Sequence, residues 1–219
     1  MFRKVLTNLQ FYFNCEHDQK LSSTEALKCL NDFYLKDKPD FKQVNHIEKI
    51  KDLMIIVPVY NVEKFLEKNI NSILNHKTDY SYDVVFVDDG STDQSLNILN
   101  RYKDIENVSI ITQQNNGVSS ARNAALKNID ANYLLFVDSD DYISEDCVQK
   151  LLDCAYKKQS QIVQGNFAYL YKETIKNNVL DEKSIPGYPW GKLISSELFE
   201  HICFPQGFIF EDTIINTLI

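Results

Sequence analysis

Tyr133-Leu134-Leu135-Phe136-Val137-Asp138-Ser139-Asp140-Asp141 is the stretch whose reading decides the fold. An apolar run, rich in aromatic and branched residues, leads straight into three carboxylates. Apolar residues in unbroken succession read as a strand covered on both faces, the habit of parallel sheets. The acids fall where that strand ends, and in open α/β sheets the carboxyl ends of the strands border the ligand crevice. Carboxylates packed this closely repel one another when ionised. A divalent cation with hard oxygen ligands relieves that repulsion. The plainer alternative is an acidic turn in which Asp141 caps the next helix, and the stretch alone leaves both open.

The surrounding chain narrows the choice. Its 219 residues suffice for one sizeable core with a small appendage. Hydrophobic residues at 44% and charged residues at 25% are ordinary for a globular protein. The formal net charge of −8 argues against non-specific nucleic-acid binding, which needs a basic footprint, and no nucleic-acid partner is expected. Cys15, Cys29, Cys147, Cys154 and Cys203 are scattered, with no Cys-x-x-Cys pair, so neither a zinc site nor a disulfide framework is indicated. A reducing cytoplasm, with the inner face of the membrane as a secondary location, is the expected compartment. No apolar run is long enough to span a membrane. The apolar residues after Arg3 and Lys4 are interrupted by Asn8, Gln10 and Asn14, unlike a signal-peptide core.

Residues 1–52 read as an N-terminal helical extension. Phe2, Val5, Leu6, Leu9, Tyr12 and Phe13 recur at helical spacing, as do Ala26, Leu27, Leu30, Phe33 and Tyr34. Ser22 with Glu25 resembles a capping box, and Pro39 ends the second helix. Packing on the main domain or a homodimer contact is the plain role for the extension. Peripheral membrane association is the rival, against which stands a polar face that is not strongly basic.

Residues 53–219 read as the main domain. Strands are expected over 53–59, 83–87, 108–112, 133–137 and 161–167. Helices fall between them: Val62, Phe65, Leu66, Ile70, Ile73 and Leu74 on one face, then Leu96, Leu99 and Tyr102 behind a Ser91/Gln94 capping box. Further helices are expected over 118–129 and 144–157. Such alternation defines an α/β class: a doubly wound, mainly parallel sheet with helices on both faces. The loops after successive strands then gather on one edge, which brings together Tyr60-Asn61, Asp88-Asp89, Asn116-Gly117 and Asp138-Asp140.

Several blocks stand in order: Val57-Pro58-Val59-Tyr60-Asn61, Val87-Asp88-Asp89-Gly90-Ser91-Thr92-Asp93, Asn116-Gly117-Val118-Ser119-Ser120-Ala121-Arg122-Asn123 and Val137-Asp138-Ser139-Asp140-Asp141. Trp190-Gly191-Lys192-Leu193 and Phe210-Glu211-Asp212 follow. The series resembles the family 2 glycosyltransferases, which have the A-type, Rossmann-like nucleotide-diphospho-sugar fold. The resemblance covers roughly residues 53–219 and implies a metal-dependent, inverting transfer. The donor would be a nucleotide-diphospho-sugar, a UDP-sugar first, and the acceptor the hydroxyl of a glycan or lipid-linked acceptor in surface polysaccharide or glycoconjugate synthesis.

The resemblance also assigns roles. One of Asp88 and Asp89, Asp89 foremost, contacts the base. Pro58 and Tyr60 set a rigid bend and an aromatic face at a strand end, suited to flanking the base or simply to ending the strand. Asn61, Asn116, Gly117, Arg122, Asp138 and Ser139 complete the nucleotide-sugar-binding candidates. Asn116-Gly117 opens a helix whose free N–H groups favour anions. Arg122 pairs with the acid cluster or a phosphate, or is a solvated helix-face arginine. Asp138 and Asp140 form the Asp-x-Asp element: Asp140 holds Mn²⁺ or Mg²⁺, and Asp138 contacts the sugar or ribose or shares the metal. Glu211 and Asp212 resemble the catalytic pair, with Asp212 as the base and Glu211 orienting the acceptor. Trp190 and Lys192 are acceptor-site candidates or core residues. Of the histidines, His76 sits at a helix end, where a cation is favourable. Seven residues follow Asp212, so the family's usual C-terminal portion is expected to be missing. That keeps a non-catalytic sugar-nucleotide-binding subunit in view. A sugar nucleotidyltransferase, the other alternative, would carry a Gly-rich basic loop where Pro58-Val59-Tyr60-Asn61 stands.

Overall fold

The structure, a computed structural model, describes residues 51–171, 174–178, 189–200 and 202–206. The helices expected over 1–50 and the acidic pair Glu211-Asp212 lie outside the described residues.

Among these, strands β1 (Lys51–Val59), β2 (Tyr82–Asp88), β3 (Val108–Thr112), β4 (Ala131–Phe136), β5 (Ile162–Gln164) and β8 (Lys192–Ser195) form one sheet in the order β3-β2-β1-β4-β8-β5. The first four run parallel, and β8 lies antiparallel between β4 and β5. Strands β6 (Phe167–Tyr171) and β7 (Thr174–Asn178) pair antiparallel as a second sheet. Helices α1 (Glu63–Leu74), α2 (Ser95–Leu99), α3 (Val118–Leu126) and α4 (Cys147–Lys158) fill the connections, and a 3₁₀ turn spans Ser196–Phe199.

The two-residue period of the strands sorts the core into two layers. Leu53, Ile55, Val57 and Val59 of β1, Val84 and Phe86 of β2 and Leu135 of β4 face Leu66, Ile70 and Ile73 of α1, Leu99 of α2 and Val148, Leu151 and Leu152 of α4. The alternate residues Met54, Ile56, Val85, Val87, Leu134 and Phe136 face Ala121 and Ala125 of α3, with Phe199 and Phe204. Helices therefore cover both faces, and the continuous apolar strands follow from burial on each side.

The chain steps from β1 outward to β2 and β3, then returns to lay β4 on the other side of β1. That reversal is the topological switch point at which open sheets bind ligands. Pro58 helps open it. The Ile56 carbonyl accepts from Val137 N–H on the β4 side at 3.0 Å. Pro58, two residues on, faces the same side and has no N–H to offer. Pairing with β4 in fact ends at Ile56↔Phe136, while pairing with β2 continues to Val59↔Asp88.

Four details depart from the sequence expectation. The strand expected over 161–167 breaks at Gly165-Asn166 into β5 and the start of β6, where Gly165 N–H donates to the Gly191 carbonyl at 2.8 Å. Helix α2 is short, and Ser91 does not cap it: Asp93 Oδ1 accepts from Ser95 N–H at 2.9 Å, and Glu63 Oε2 from Gln94 N–H at 2.9 Å. Helix α4 starts at Cys147 rather than 144. On α1, Phe65 is exposed and the buried stripe is Leu66, Asn69, Ile70 and Ile73.

His76 is a further correction. It is buried against the Tyr82 ring, centroids 4.5 Å apart, with Nδ1 bonded to the Ile73 carbonyl. Burial lowers its pKa below the usual 6.5, outweighing the bond to the Ile73 carbonyl, and so favours the neutral ring. A depressed histidine contributes stability fully above the unfolded pKa, and that contribution is lost as pH falls below 6.5. In thermal melts, wild type is expected to lose stability relative to His76→Phe between about pH 6.5 and 5. Parallel curves would refute a buried neutral ring.

Candidate functional site

The carboxyl edge of the sheet is tied together by hydrogen bonds between loops far apart in sequence. Asp89 N–H donates to the Val59 carbonyl at 2.8 Å, joining the β2 and β1 ends. Asn61, with φ of 51°, donates its N–H to Ser91 Oγ at 3.1 Å and accepts from Thr92 N–H at 2.8 Å through Oδ1. The loop at 60–63 and the loop at 91–95 are thus braided, and the Asn61 amide oxygen works inside the braid. Tyr60, 46% exposed, is left as an aromatic face at the end of β1.

The two acids after β2 have different surroundings. Asp89 is buried, and its carboxylate is engaged by three donors: Gln113 Nε2 at 2.7 Å, Asn116 N–H at 2.9 Å and Gly117 N–H at 2.8 Å. Two of these donors lie at the entry to α3, so Asp89 neutralises free N–H groups at a helix start. It anchors the β3–α3 loop. Asp88 is 2% exposed; Oδ2 accepts from Ser91 N–H at 3.3 Å, and Oδ1 has no partner among the described residues. A buried carboxylate oxygen left unpaired is costly, and calls for an incoming donor. The geometry thus favours Asp88 over Asp89 as the acid with an oxygen to offer.

Glycine is required at two loop positions. Gly90 has φ of +73°, and a Cβ there would stand 2.8 Å from Asn115 N, so it lets the β2–α2 loop press on the β3–α3 loop. Gly117 has φ of +86° with open space around the Cβ position, and its backbone is accessible at the rim.

Arg122, one turn into α3, is buried beneath this loop. Its Nη2 lies 3.3 Å from Asp138 Oδ1, and its guanidinium stacks 5.1 Å from the Phe204 ring. Arg122 is thus paired with the acidic turn and is not a solvated helix-face arginine. Asn123 fixes the same region, donating to the Phe204 carbonyl at 2.7 Å and accepting from Phe204 N–H at 2.8 Å.

The acidic turn follows β4. Ser139 is buried, while Asp140 and Asp141 are exposed. Packing around its carboxyl, with the charges of Asp140 and Asp138, pushes Asp141 up to about 6. No side chain of Asp141 caps α4, whose N-cap is Asp146. One residue in contact with this turn escaped the sequence reading. Asn69 of α1, 1% exposed, donates through Nδ2 to the Asp138 carbonyl at 3.0 Å and the Asp141 carbonyl at 2.7 Å. Its only sequence signal was a polar residue within an apolar helical stripe.

Of the acceptor candidates, Trp190 is half-buried, bridges to Phe136 at the end of β4 and packs edge-on against Phe167 at 5.1 Å. Lys192 is 1% exposed within β8, inside the fold rather than on an open acceptor surface.

Among the described residues no group of three or more metal-binding side chains forms a ready cage. Asp138 and Asp140 are hard oxygen donors on one turn, crowded by a third negative charge. Such a partial set suits Mg²⁺ or Mn²⁺, which take one or two carboxylates and complete their shell with waters and phosphate oxygens. The residues present therefore fit that ion.

The open α/β sheet gathers acids, an aromatic face and a helix entry at its switch point, where folds of this kind bind ligands. The chain matches Glycosyl transferase family 2 over residues 54–210 and belongs to that family. It is 34% identical over 191 residues to glycosyltransferase GlyA of Streptococcus pneumoniae, a match covering 75% of this chain and 27% of the relative. It is 40% identical over 119 residues to a poly(ribitol-phosphate) beta-glucosyltransferase of Bacillus spizizenii, covering 52% of this chain and 18% of the relative. The crystal structure of Staphylococcus aureus TarS 1-349 in complex with UDP-GlcNAc superposes with a TM-score of 0.64 at 25% identity, over 76% of this chain and 52% of that one. The chain thus spans only part of each of these relatives' length. No described helix is long and apolar enough to cross a membrane.

Proposed function

We propose that this chain carries the donor site of a glycosyltransferase that moves a sugar from a UDP-sugar to a hydroxyl of a surface polymer, with inversion and with a divalent metal. The buried Asp88 carboxylate, with one oxygen unpaired at the sheet's switch point, carries the reading. A uracil imide or a ribose hydroxyl is the kind of donor that oxygen lacks. The TarS structure was solved with UDP-GlcNAc, which supports a uridine donor here.

In this reading Tyr60 flanks the base, and the β3–α3 loop, whose Asn116 and Gly117 N–H groups are already taken by Asp89, borders the donor as scaffold rather than as an anion site. Asp138 and Asp140 hold the cation, and Arg122 orients Asp138. The cation, when bound, offsets charge developing on the leaving diphosphate. Asp212 takes the acceptor proton as the hydroxyl attacks the anomeric carbon from the opposite face, and Glu211 orients the acceptor. The acceptor is a glycan or a lipid-linked carrier.

Calorimetry with UDP and UDP-GlcNAc tests the donor site. Asp88→Ala is expected to weaken UDP binding roughly 10–100-fold, the worth of one hydrogen bond to a charged acceptor. Unchanged affinity with the fold intact would remove Asp88 from the site. A donor-hydrolysis assay on the same samples separates an enzyme from a binding subunit.

A further inference from the structure

We infer that Asn69 is a positioning residue: it sets the acidic turn after β4 against helix α1, and so fixes where Asp138 and Asp140 present their carboxylates. The inference rests on the donor-site reading above for what those carboxylates hold.

Asn69 is an anomaly in the core. Leu66, Asn69, Ile70 and Ile73 form the buried stripe of α1. An apolar residue at 69 would satisfy the helix and its packing. A buried amide costs free energy unless both its ends are bonded. Here both bonds come from one end: Nδ2 donates to the Asp138 and Asp141 carbonyls at 3.0 and 2.7 Å. Oδ1 is buried with no partner among the described residues. The amide cannot rotate to relieve this, since its oxygen would then face two carbonyl oxygens. Stability alone gives no reason for an asparagine here; holding two carbonyls of one turn does.

Those carbonyls bracket the functional acids. Asp138 C=O also accepts from Asp141 N–H at 3.0 Å, which closes the turn. A second fastening lies one helical step away: Ser72 Oγ accepts from Ile143 N–H at 3.2 Å. With Ser139 buried beneath it, the turn has its backbone bolted to α1 while Asp140 projects outward. Helix α1 itself starts just beyond Tyr60-Asn61, so one rigid element spaces the acidic turn from the aromatic end of the crevice. Partners of this kind typically change metal affinity 10–100-fold when removed.

The test uses Asn69→Leu, close in size and without donors, and Asn69→Asp, of the same shape without donors. Three quantities are read: melting temperature, exchange of the Asp141 amide, and UDP affinity with and without Mn²⁺. Asn69→Leu is expected to fold, to exchange the Asp141 amide roughly ten-fold faster or more, and to lose roughly 10–100-fold of the Mn²⁺-dependent gain in UDP affinity. Its metal-free UDP affinity should stay at the wild-type value. Asn69→Asp should reproduce the faster exchange. Wild-type exchange in both variants would overturn the inference and leave Asn69 a core residue. Faster exchange with the Mn²⁺ gain intact would overturn its positioning role at the site. A wild type with no Mn²⁺ gain at all, but with faster exchange in the variants, would sink the metal reading while Asn69's hold on the turn stands.

Discussion

Asp140→Ala is expected to lower sugar transfer by roughly 10²–10³-fold, the range for removing one group that stabilises charge developing in a transition state. The fold should be untouched, because Asp140 is exposed at the tip of a turn whose backbone is held from α1. Stability should even rise slightly at neutral pH. Asp140 and Asp138 add to the burial that pushes Asp141 up to about 6, and removing one charge eases the crowding. A carboxyl whose folded pKa is raised stabilises the fold when protonated, so stability falls as pH rises from about 4 to about 6. The variant's melting temperature should therefore fall less than that of wild type over this window. UDP affinity in the presence of Mn²⁺ should drop to the metal-free value. Full transfer activity in the variant would show that the acid holding the cation lies elsewhere.

The second large effect is expected at Asp89. Asp89→Ala removes a buried carboxylate that accepts three hydrogen bonds and leaves the Asn116 and Gly117 N–H groups unpaired. A loss of about 3 kcal/mol follows from losing three hydrogen bonds to one buried carboxylate. For a chain of this length that corresponds to a fall in melting temperature of roughly 6–12 °C. UDP affinity should fall as well, because the β3–α3 loop is no longer anchored beside the crevice. The distinction from Asp88 is the informative part. Asp88→Ala removes the weaker Ser91 contact and an unpaired oxygen, so it should cost binding with little stability. Were Asp89→Ala to keep its melting temperature and lose only binding, the assignments of the two acids would be reversed.

That reversal marks the limit of what the chain sequence discloses. Strands 53–59, 83–87 and 133–137 were legible because burial on both faces leaves a long apolar run, and the edge strand 108–112 from its β-branched residues. The convergence of Tyr60-Asn61, Asp88-Asp89, Asn116-Gly117 and Asp138 follows from topology alone, once β1, β2 and β4 are parallel neighbours. What each acid does there was not legible. Asp89 is spent on N–H groups 27 and 28 residues away. Such pairings follow from packing, and no local pattern encodes them. Strand β8 was hidden for a related reason: Lys192–Ser195 is short and pairs antiparallel with strands from two other segments. The Ser91/Gln94 pattern misled because Glu63 takes the Gln94 N–H and Asp88 the Ser91 N–H. Asn69 disappeared into a helical stripe that would have been as periodic without it.

The central claim is that acids from separate strands meet at the sheet's switch point to grip a sugar nucleotide through a cation. Anomalous diffraction from crystals grown with UDP and Mn²⁺ tests it most directly. The account predicts one strong manganese peak at coordination distance from Asp140, with the diphosphate beside it and the uracil within hydrogen-bond reach of Asp88. A manganese peak away from the turn after β4, or a uracil bonded elsewhere, would contradict it.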